Sequence, residues 1–488
     1  MLKLQLSILH KFIRSRIMKV GIIGGGAAGL CSAHHVLAMG GMTPIVWEKA
    51  AKVGGTWIYT PECGRDKYGL PIHSSMYENL RTNLPKEIMG FPDFPFPEGE
   101  ASFIHHTEVC KYLESYAEHF NLYPYIQFGH HVEMVTPVLK EDGPPAWNVS
   151  VKNMATETTE TTTCDALIVC NGHYSVPRYP SIKDISAYKG RKVHSHDYRE
   201  PSPYKDSTVV ILGAAASGLD ICLELSTTAK KVFLSHNHPV NIPSEFPVNV
   251  EQVRGVVAAS DNGFTLSDGT FVEADVILYC TGYEYSFPFL TEECGITVEE
   301  NIVKPLYKHV IHTTYPSMAF IGIPFQICPF PLFDFQVQHF IASLIHKLKL
   351  PTCEEMVSAM EDELAQLKEA GVAPRHYHKF GRSKQLAYMK EVAGEVGCRP
   401  FQPYLAKLFI VVMIRLLLDL TRFKNYSYET DKNGCDFKEY NNGVVVNTKW
   451  DLTCLIIRRG FHLLWFDFLS ITKLVIMFIF KKIKFILG

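Results

Sequence analysis

Two stretches of the chain repeat one pattern of apolar and small residues. Lys19–Ala38 (KVGIIGGGAAGLCSAHHVLA) and Thr208–Leu225 (TVVILGAAASGLDICLEL) each open on a short apolar run, pass through clustered glycine or alanine, and continue at helical spacing. The unbroken apolar run predicts a strand buried on both faces, and the small residues predict a tight turn into a helix. A second apolar run follows each, Thr43–Glu48 and Lys231–Ser235, so the pattern predicts two separate β-α-β units. Runs that start at Asp165 and Asp275 and end at Cys170-Asn171-Gly172 and Cys280-Thr281-Gly282-Tyr283 predict the return strands. Glycine at those ends lets the backbone bend sharply beside a ligand.

The remaining pattern is less regular. Trp147–Val151 and the Thr-rich stretch Thr156–Thr163, after the turn at Gly143–Pro145, predict a hairpin with a polar loop. Leu408–Leu420 reads as a buried helix, since Lys407, Arg415 and Asp419 leave it too short to cross a bilayer. Phe461–Phe480 is apolar over a spanning length, and Lys481, Lys482 and Lys484 follow it. Asp467 and Lys473 interrupt that run, each at about 2.5–3.5 kcal/mol near a bilayer centre. A spanning helix, a membrane-surface tail and a core or oligomer-interface helix all remain open for residues 450–488. Residues 1–17 read as a loose extension rather than a secretory or mitochondrial leader, because Gln5 and Ser7 break the apolar run.

The glycine turns carry the chemistry. Gly24-x-Gly26-x-x-Gly29 follows a strand and opens a helix, where glycine permits the turn, the approach of a pyrophosphate and close helix–strand packing. The diphosphate would sit at the positive helix terminus. Glu48, at the end of the next strand, can accept bonds from ribose hydroxyls. The second turn reads Gly213-Ala214-Ala215-Ala216-Ser217-Gly218, with Ala215 where a second glycine is expected. Its following strand ends at Ser235-His236-Asn237-His238 with no acid, which permits the 2′-phosphate of NADPH, although the arginine that would demand it is missing. The fold class is therefore α/β with two Rossmann-like dinucleotide-binding domains. The layout, one site near the N-terminus and one inserted mid-chain, is that of two-dinucleotide flavoproteins, FAD in the first and the nicotinamide donor in the second. The expected units are an FAD-binding domain over 18–185 and 301–430 and an NADPH-binding domain over 186–300.

Composition narrows this little. The formal charge is −2 with 48 basic and 50 acidic residues, which gives no electrostatic footprint for nucleic acid. Thirteen scattered cysteines suggest a reducing compartment. Gly54-Gly55-Thr56-Trp57 carries Trp where the redox cysteine pair of a disulfide reductase would begin, and no GxSxG or HExxH marks a hydrolase. The His-His pairs at 34–35, 105–106 and 130–131 lack metal spacing, and no metal site is expected.

The chain resembles the flavin-containing monooxygenases. Their identifying sequence, Phe-x-Gly-x-x-x-His-x-x-x-Phe/Tyr, appears as Tyr188-Lys189-Gly190-Arg191-Lys192-Val193-His194-Ser195-His196-Asp197-Tyr198, just before the second glycine turn. Tyr188 replaces Phe and keeps the ring. The block Tyr77–Glu87 and Phe91-Pro92-Asp93-Phe94-Pro95-Phe96 also resembles the family, its insect and fungal members in particular. The resemblance covers roughly residues 18–430. It implies an N,N-dimethylaniline-type monooxygenase that uses FAD, NADPH and O2 to oxygenate nitrogen or sulfur of a soft nucleophile, through a C4a-hydroperoxyflavin. It implies that Asn83 is the polar side chain beside the flavin, that Gly55 and Trp57 lie near the cofactor, and that His194 holds the domain junction. Tyr198 favours this branch over the ketone-oxygenating Baeyer–Villiger enzymes, which carry Trp there. A third reading is a flavoprotein whose second site is weakened by Ala215 and which acts as an NADPH oxidase or binding protein. With the apolar tail, the expected location is the endoplasmic reticulum membrane, the alternative the cytoplasm; a homodimer is left open.

Overall fold

The structure, a computed structural model, describes residues 17–466 apart from 100, 142 and 432. Residues 1–16 of the expected extension and 467–488 of the expected tail lie outside the described residues. Among the described residues, no helix is long and apolar enough to cross a membrane.

The first expected unit forms β1 (Met18–Ile23), α1 (Ala27–Met39) and β2 (Met42–Glu48). Then α2 (His106–His119) leads to β3 (Ile126–Phe128), and β4 (His130–Val138), β5 (Ala146–Asn153) and β6 (Thr159–Cys164) form an antiparallel sheet that contains the expected hairpin. The chain returns through β7 (Ala166–Val169). The second unit comprises β8 (Arg191–His194), β9 (Thr208–Leu212), α3 (Ala216–Leu225), β10 (Lys231–Ser235), β11 (Val250–Val253) and β12 (Val276–Tyr279). Strands β13 (Leu306–Tyr307), β14 (Ile311–His312) and β15 (Met318–Phe320) follow, then helices α4 (Pro329–Leu344), α5 (Cys353–Glu369), α6 (Gly381–Val396) and α7 (Pro403–Leu418). Strands β16 (Tyr426–Thr430) and β17 (Phe437–Asn441) and helix α8 (Thr448–Phe466) complete the described chain.

One sheet runs β13-β14-β15-β7-β1-β2-β3 and the other β11-β10-β9-β12-β8. The second is parallel throughout, and the first is parallel from β15 to β3. Because the first sheet takes strands from both sides of the second unit in sequence, the second domain is an insertion in the first. The two units match in detail. The Asp165 carboxylate accepts the Lys19 N–H at 3.0 Å and the Asp275 carboxylate accepts the Thr208 N–H at 2.7 Å, each fixing the start of a central strand to its neighbour.

Residues 403–430, expected in the first domain, share a core with both units: Leu405, Leu408, Val412, Tyr426 and Tyr428 on α7 and β16 cluster with Val209, Ile211, Leu219 and Leu225 of the second unit and with Tyr77, Ile88 and Phe103 of the first. The apolar face of α7 needs cover, and the two units together supply it. The expected buried helix at 408–420 is this one, apart from its last two residues.

A buried ion pair holds the segment together. Arg415, fully buried on α7, donates from Nε and Nη2 to the two carboxylate oxygens of Glu439 at 2.5 and 2.7 Å, and Nη2 lies 2.9 Å from Asp451 on α8. The guanidinium also stacks on Tyr426 at 3.6 Å. Replacing Arg415 with Met strands the Glu439 charge, which should cost about 3–5 kcal/mol. We expect a clearly lower midpoint in thermal unfolding followed by circular dichroism, partly restored by adding Glu439→Leu.

Candidate cofactor-binding site

The first glycine turn is shaped by close approach. Gly24 has φ +106°, and a Cβ there would lie 2.6 Å from the Cys170 carbonyl oxygen on the return strand; a Cβ on Gly29 would lie 1.8 Å from the Gly24 oxygen. Helix α1 begins at Ala27 after Gly26, with no side-chain cap and no acid in its first turn, so its leading N–H groups and positive end are left for a ligand. Glu48 is buried. Its Oε2 accepts the Gly25 N–H at 2.6 Å and its Oε1 the Ala50 N–H at 2.7 Å. Burial pushes this carboxyl up, and the two N–H bonds pull it back. Glu48 therefore shapes the loop, with lone pairs to spare for ribose hydroxyls. Gly55 (φ +55°) completes the cradle: its Cβ would lie 3.0 Å from the Gly26 Cα, and the Gly54 N–H donates to the Gly25 oxygen at 3.1 Å. Trp57 is half-buried beside it and packs on the first core.

The second turn repeats the first. Gly213 has φ +111° with its Cβ position 2.4 Å from the Cys280 oxygen, and a Cβ on Gly218 would lie 1.9 Å from the Gly213 oxygen. Ala215 occupies the place of Gly26 at φ −89°, ψ −169°, against −80° and −171°, so its methyl imposes no backbone strain. Helix α3 is likewise uncapped and free of acid in its first turn, and the Ser217 hydroxyl there has no protein partner among the described residues. The two turns differ in cover: Gly25, Ala27 and Ala28 are buried, whereas Ala215 and Ala216 are exposed.

Ser235 is placed differently from the expectation. It is fully buried, its hydroxyl donating to the Arg254 carbonyl at 2.9 Å and accepting the Val256 N–H at 3.2 Å. The pairing Ile23↔Trp47 matches Leu212↔Ser235, and the Gly24 and Gly213 N–H groups bond the Trp47 and Ser235 oxygens, both at 2.9 Å. The strand-end counterpart of Glu48 is therefore His236, one residue on, whose Nε2 lies 3.1 Å from Gln252 Oε1.

The segment between the domains explains the identifying sequence. The Tyr188 hydroxyl donates to the Ala274 oxygen at 2.9 Å, and a Cβ on Gly190 would strike that hydroxyl at 2.2 Å. His194, buried, lies 3.1 Å through Nε2 from the Gly282 oxygen, while its Nδ1 accepts the His196 N–H at 3.1 Å. Burial pushes His194 down to about 4, so it is neutral at pH 7 and serves as a strut to the Gly282 turn. The Tyr198 hydroxyl donates to Glu224 on α3 at 2.8 Å, and Asn79 donates to the other Glu224 oxygen at 2.8 Å. Asn83 is half-buried and its amide has no protein hydrogen-bond partner among the described residues. The adjoining Leu84 packs against both the first and the second core.

Several residues here were not singled out from the sequence. Arg199 donates to the carbonyls of Thr60, Glu62, Ser74, His196 and Tyr198, knitting the first domain to the segment after β8. Asp220 on α3 accepts from Lys424 at 2.6 Å and from the Tyr77 hydroxyl. Adjacency to the motif was the only signal for Arg199, and Lys424 gave none. The His-His pairs serve local contacts, such as His34 to Asp93 at 2.9 Å. Cys31, His35 and Asp334 bring ligand atoms within 4.8 Å of one another, and there the Asp334 carboxylate is held by His35 at 2.6 Å and Gln338 at 2.7 Å, joining α1 to α4.

Both turns fit a dinucleotide, since each offers an uncapped helix terminus beside glycine positions that a side chain would fill. Gly26→Val should leave the purified protein without bound flavin, its branched side chain occupying the diphosphate's place. Absorbance near the flavin bands checks this, and a yellow variant would refute the assignment.

The comparisons with known proteins agree with this geometry. The family profile "FMO-like: Flavin-binding monooxygenase-like" matches residues 17–249 and 241–414. The chain is 37% identical over 407 residues to "Flavin-containing monooxygenase FMO GS-OX5" of Arabidopsis thaliana, covering 79% of this chain and 87% of that one. It is 34% identical over 435 residues to senecionine N-oxygenase of Tyria jacobaeae, covering 88% and 93%. The structure of S-allyl-L-cysteine S-oxygenase from Allium sativum superposes with a TM-score of 0.78 at 35% identity, covering 84% of this chain and 95% of that one. With two glycine-turn units, the inserted second domain and these matches in agreement, the chain belongs to the flavin-binding monooxygenase-like family.

Proposed function

We propose that this protein is an FAD- and NADPH-dependent monooxygenase that places one atom of O2 on the nitrogen or sulfur of a small nucleophile and releases the other as water. The observation that carries the reading is the pair of matched helix termini, one enclosed and one open, with the unpartnered amide of Asn83 on the segment that touches both cores. The S-oxygenase and N-oxygenase among the relatives support both heteroatoms.

Bound in the first site, FAD would supply hydride acceptance and oxygen activation, and the chain supplies position and dryness. The α1 terminus would hold its diphosphate, with Glu48 fixing the loop around it. The α3 terminus would hold the diphosphate of NADPH, Ser217 adding a hydroxyl. Asn83 can donate and accept at once and does not titrate, so its amide suits a position where a nicotinamide and bound oxygen must both be held.

Asn83→Ala should keep bound flavin and still consume NADPH, but with N,N-dimethylaniline it should form at least about tenfold less oxygenated product and correspondingly more hydrogen peroxide. Product and peroxide measured per NADPH test this; full coupled turnover would remove Asn83 from the site.

We further propose that the apolar run 461–480 and the lysines after it hold the protein at a membrane surface, that of the endoplasmic reticulum. The support is the sequence itself. Deleting residues 467–488 should move the protein from the membrane pellet to the supernatant with its flavin retained, and an unchanged distribution would count against an anchor.

A further inference from the structure

We propose that a cavity beside the two segments joining the domains binds a small zwitterion, an α-amino acid with an apolar side chain. The site goes beyond the proposed function, since its lining includes no residue of either glycine turn. The segments that enter and leave the inserted domain pair antiparallel, Val176-Pro177 with Tyr283-Glu284.

The cavity, about 490 Å³, is walled by two arginines, Arg178 and Arg375, and two acids, Glu284 and Glu300. None of the four forms an ion pair among the described residues, although Lys304 and Glu299, beside Glu300 on the same hairpin, pair at 2.9 Å. Arg178 is held by its backbone: its N–H donates to the Gly282 carbonyl at 3.0 Å, and its own carbonyl accepts from the Thr281 hydroxyl at 2.5 Å. Burial and the nearby Arg375 guanidinium push Arg178 down while Glu284 pulls it up, so two like charges share one space. The opposite wall is equally set. Glu300 (φ +49°) and Asn301 (φ +66°) both take the left-handed backbone of a two-residue hairpin turn. Glycine or asparagine is preferred there, so glutamate is a strained choice that keeps a carboxylate in the cavity wall. Asn301 ties this tip to the joining segment, its Oδ1 accepting the Tyr285 N–H at 2.8 Å and its Nδ2 donating to the Tyr283 carbonyl at 3.1 Å.

The lining decides what can settle there. A simple anion such as phosphate would meet the guanidiniums but also both carboxylates, and a simple cation would meet the reverse. A molecule that carries both signs a few bonds apart gives each wall its partner through charge-assisted bonds, and an arginine can grip a carboxylate with two N–H groups. An α-amino acid has that head group. Val298, Pro374 and the Tyr285 ring add apolar wall for its side chain.

The test is calorimetric titration of the full-length, flavin-loaded protein with L-leucine near neutral pH. L-Leucinamide, which lacks the carboxylate, 4-methylpentanoate, which lacks the ammonium, and inorganic phosphate are titrated for comparison. L-Leucine should saturate one site and bind at least about tenfold more tightly than any of the three. Arg178→Gln should weaken both L-leucine and 4-methylpentanoate. Glu300→Gln should weaken L-leucine at least about tenfold and should not weaken 4-methylpentanoate. Absence of saturable L-leucine binding, equal or tighter binding of any of the other three, or an L-leucine affinity unchanged in both variants would overturn the inference. Flavin absorbance shows whether each variant is folded; where one loses its flavin, the wild-type ranking of the four ligands and the other variant decide.

Discussion

The carbonyl oxygens of Cys170 and Cys280 set how closely a helix can approach a strand in this molecule. Each return strand presents its oxygen where the Cβ of Gly24 or Gly213 would be, and each helix then closes on that glycine through Gly29 or Gly218. No other side chain fits any of the four positions without moving backbone. The reward is functional: helices drawn this far in present their free N–H groups at the sheet edge, where a diphosphate can meet them. Everything else in the fold, from the Asp165 and Asp275 anchors to the core of each unit, keeps that distance short.

Two such sites are useful only if their relative placement is held, and the residues around the identifying sequence do this. Arg199 gathers five carbonyls from three segments. Tyr198 and Asn79 share Glu224, while Tyr77 and Lys424 share Asp220, so α3 of the inserted domain is clamped on one side by two carboxylates. Burial pushes Lys424 down and Asp220 pushes it up, as expected of an enclosed ion pair rather than a surface one. Tyr198 thus has a physical role in this chain: its hydroxyl donates to Glu224, a bond that the phenyl ring the motif also allows would not make.

What could be seen in the sequence follows from range. The glycine turns, their strands and the insertion are local patterns, and even the Asp at each return strand is visible as an interruption of an apolar run. Ser235 shows the limit: the strand end was located, yet only the pairing register shows that His236 stands opposite Glu48, because a one-residue shift reverses which side chain faces the ligand. The placing of residues 403–430 against both units was out of reach for a different reason. An apolar helix announces that it is covered but not by what, and partners such as Arg81 and Lys424 are separated by 343 residues.

The difference between the two turns then bears on how the cofactors are used. Ala215 and Gly26 have nearly the same backbone, so the alanine does not deform the second site; it only brings a methyl group to its entrance. What separates them is cover. The first turn is enclosed by the Gly54-Gly55 segment and by Glu48, which suits a cofactor that stays through many turnovers, while the second has Ala215 and Ala216 exposed, which suits one that must arrive reduced and leave oxidised. The alanine that looked like a defect in the motif is consistent with that division of labour.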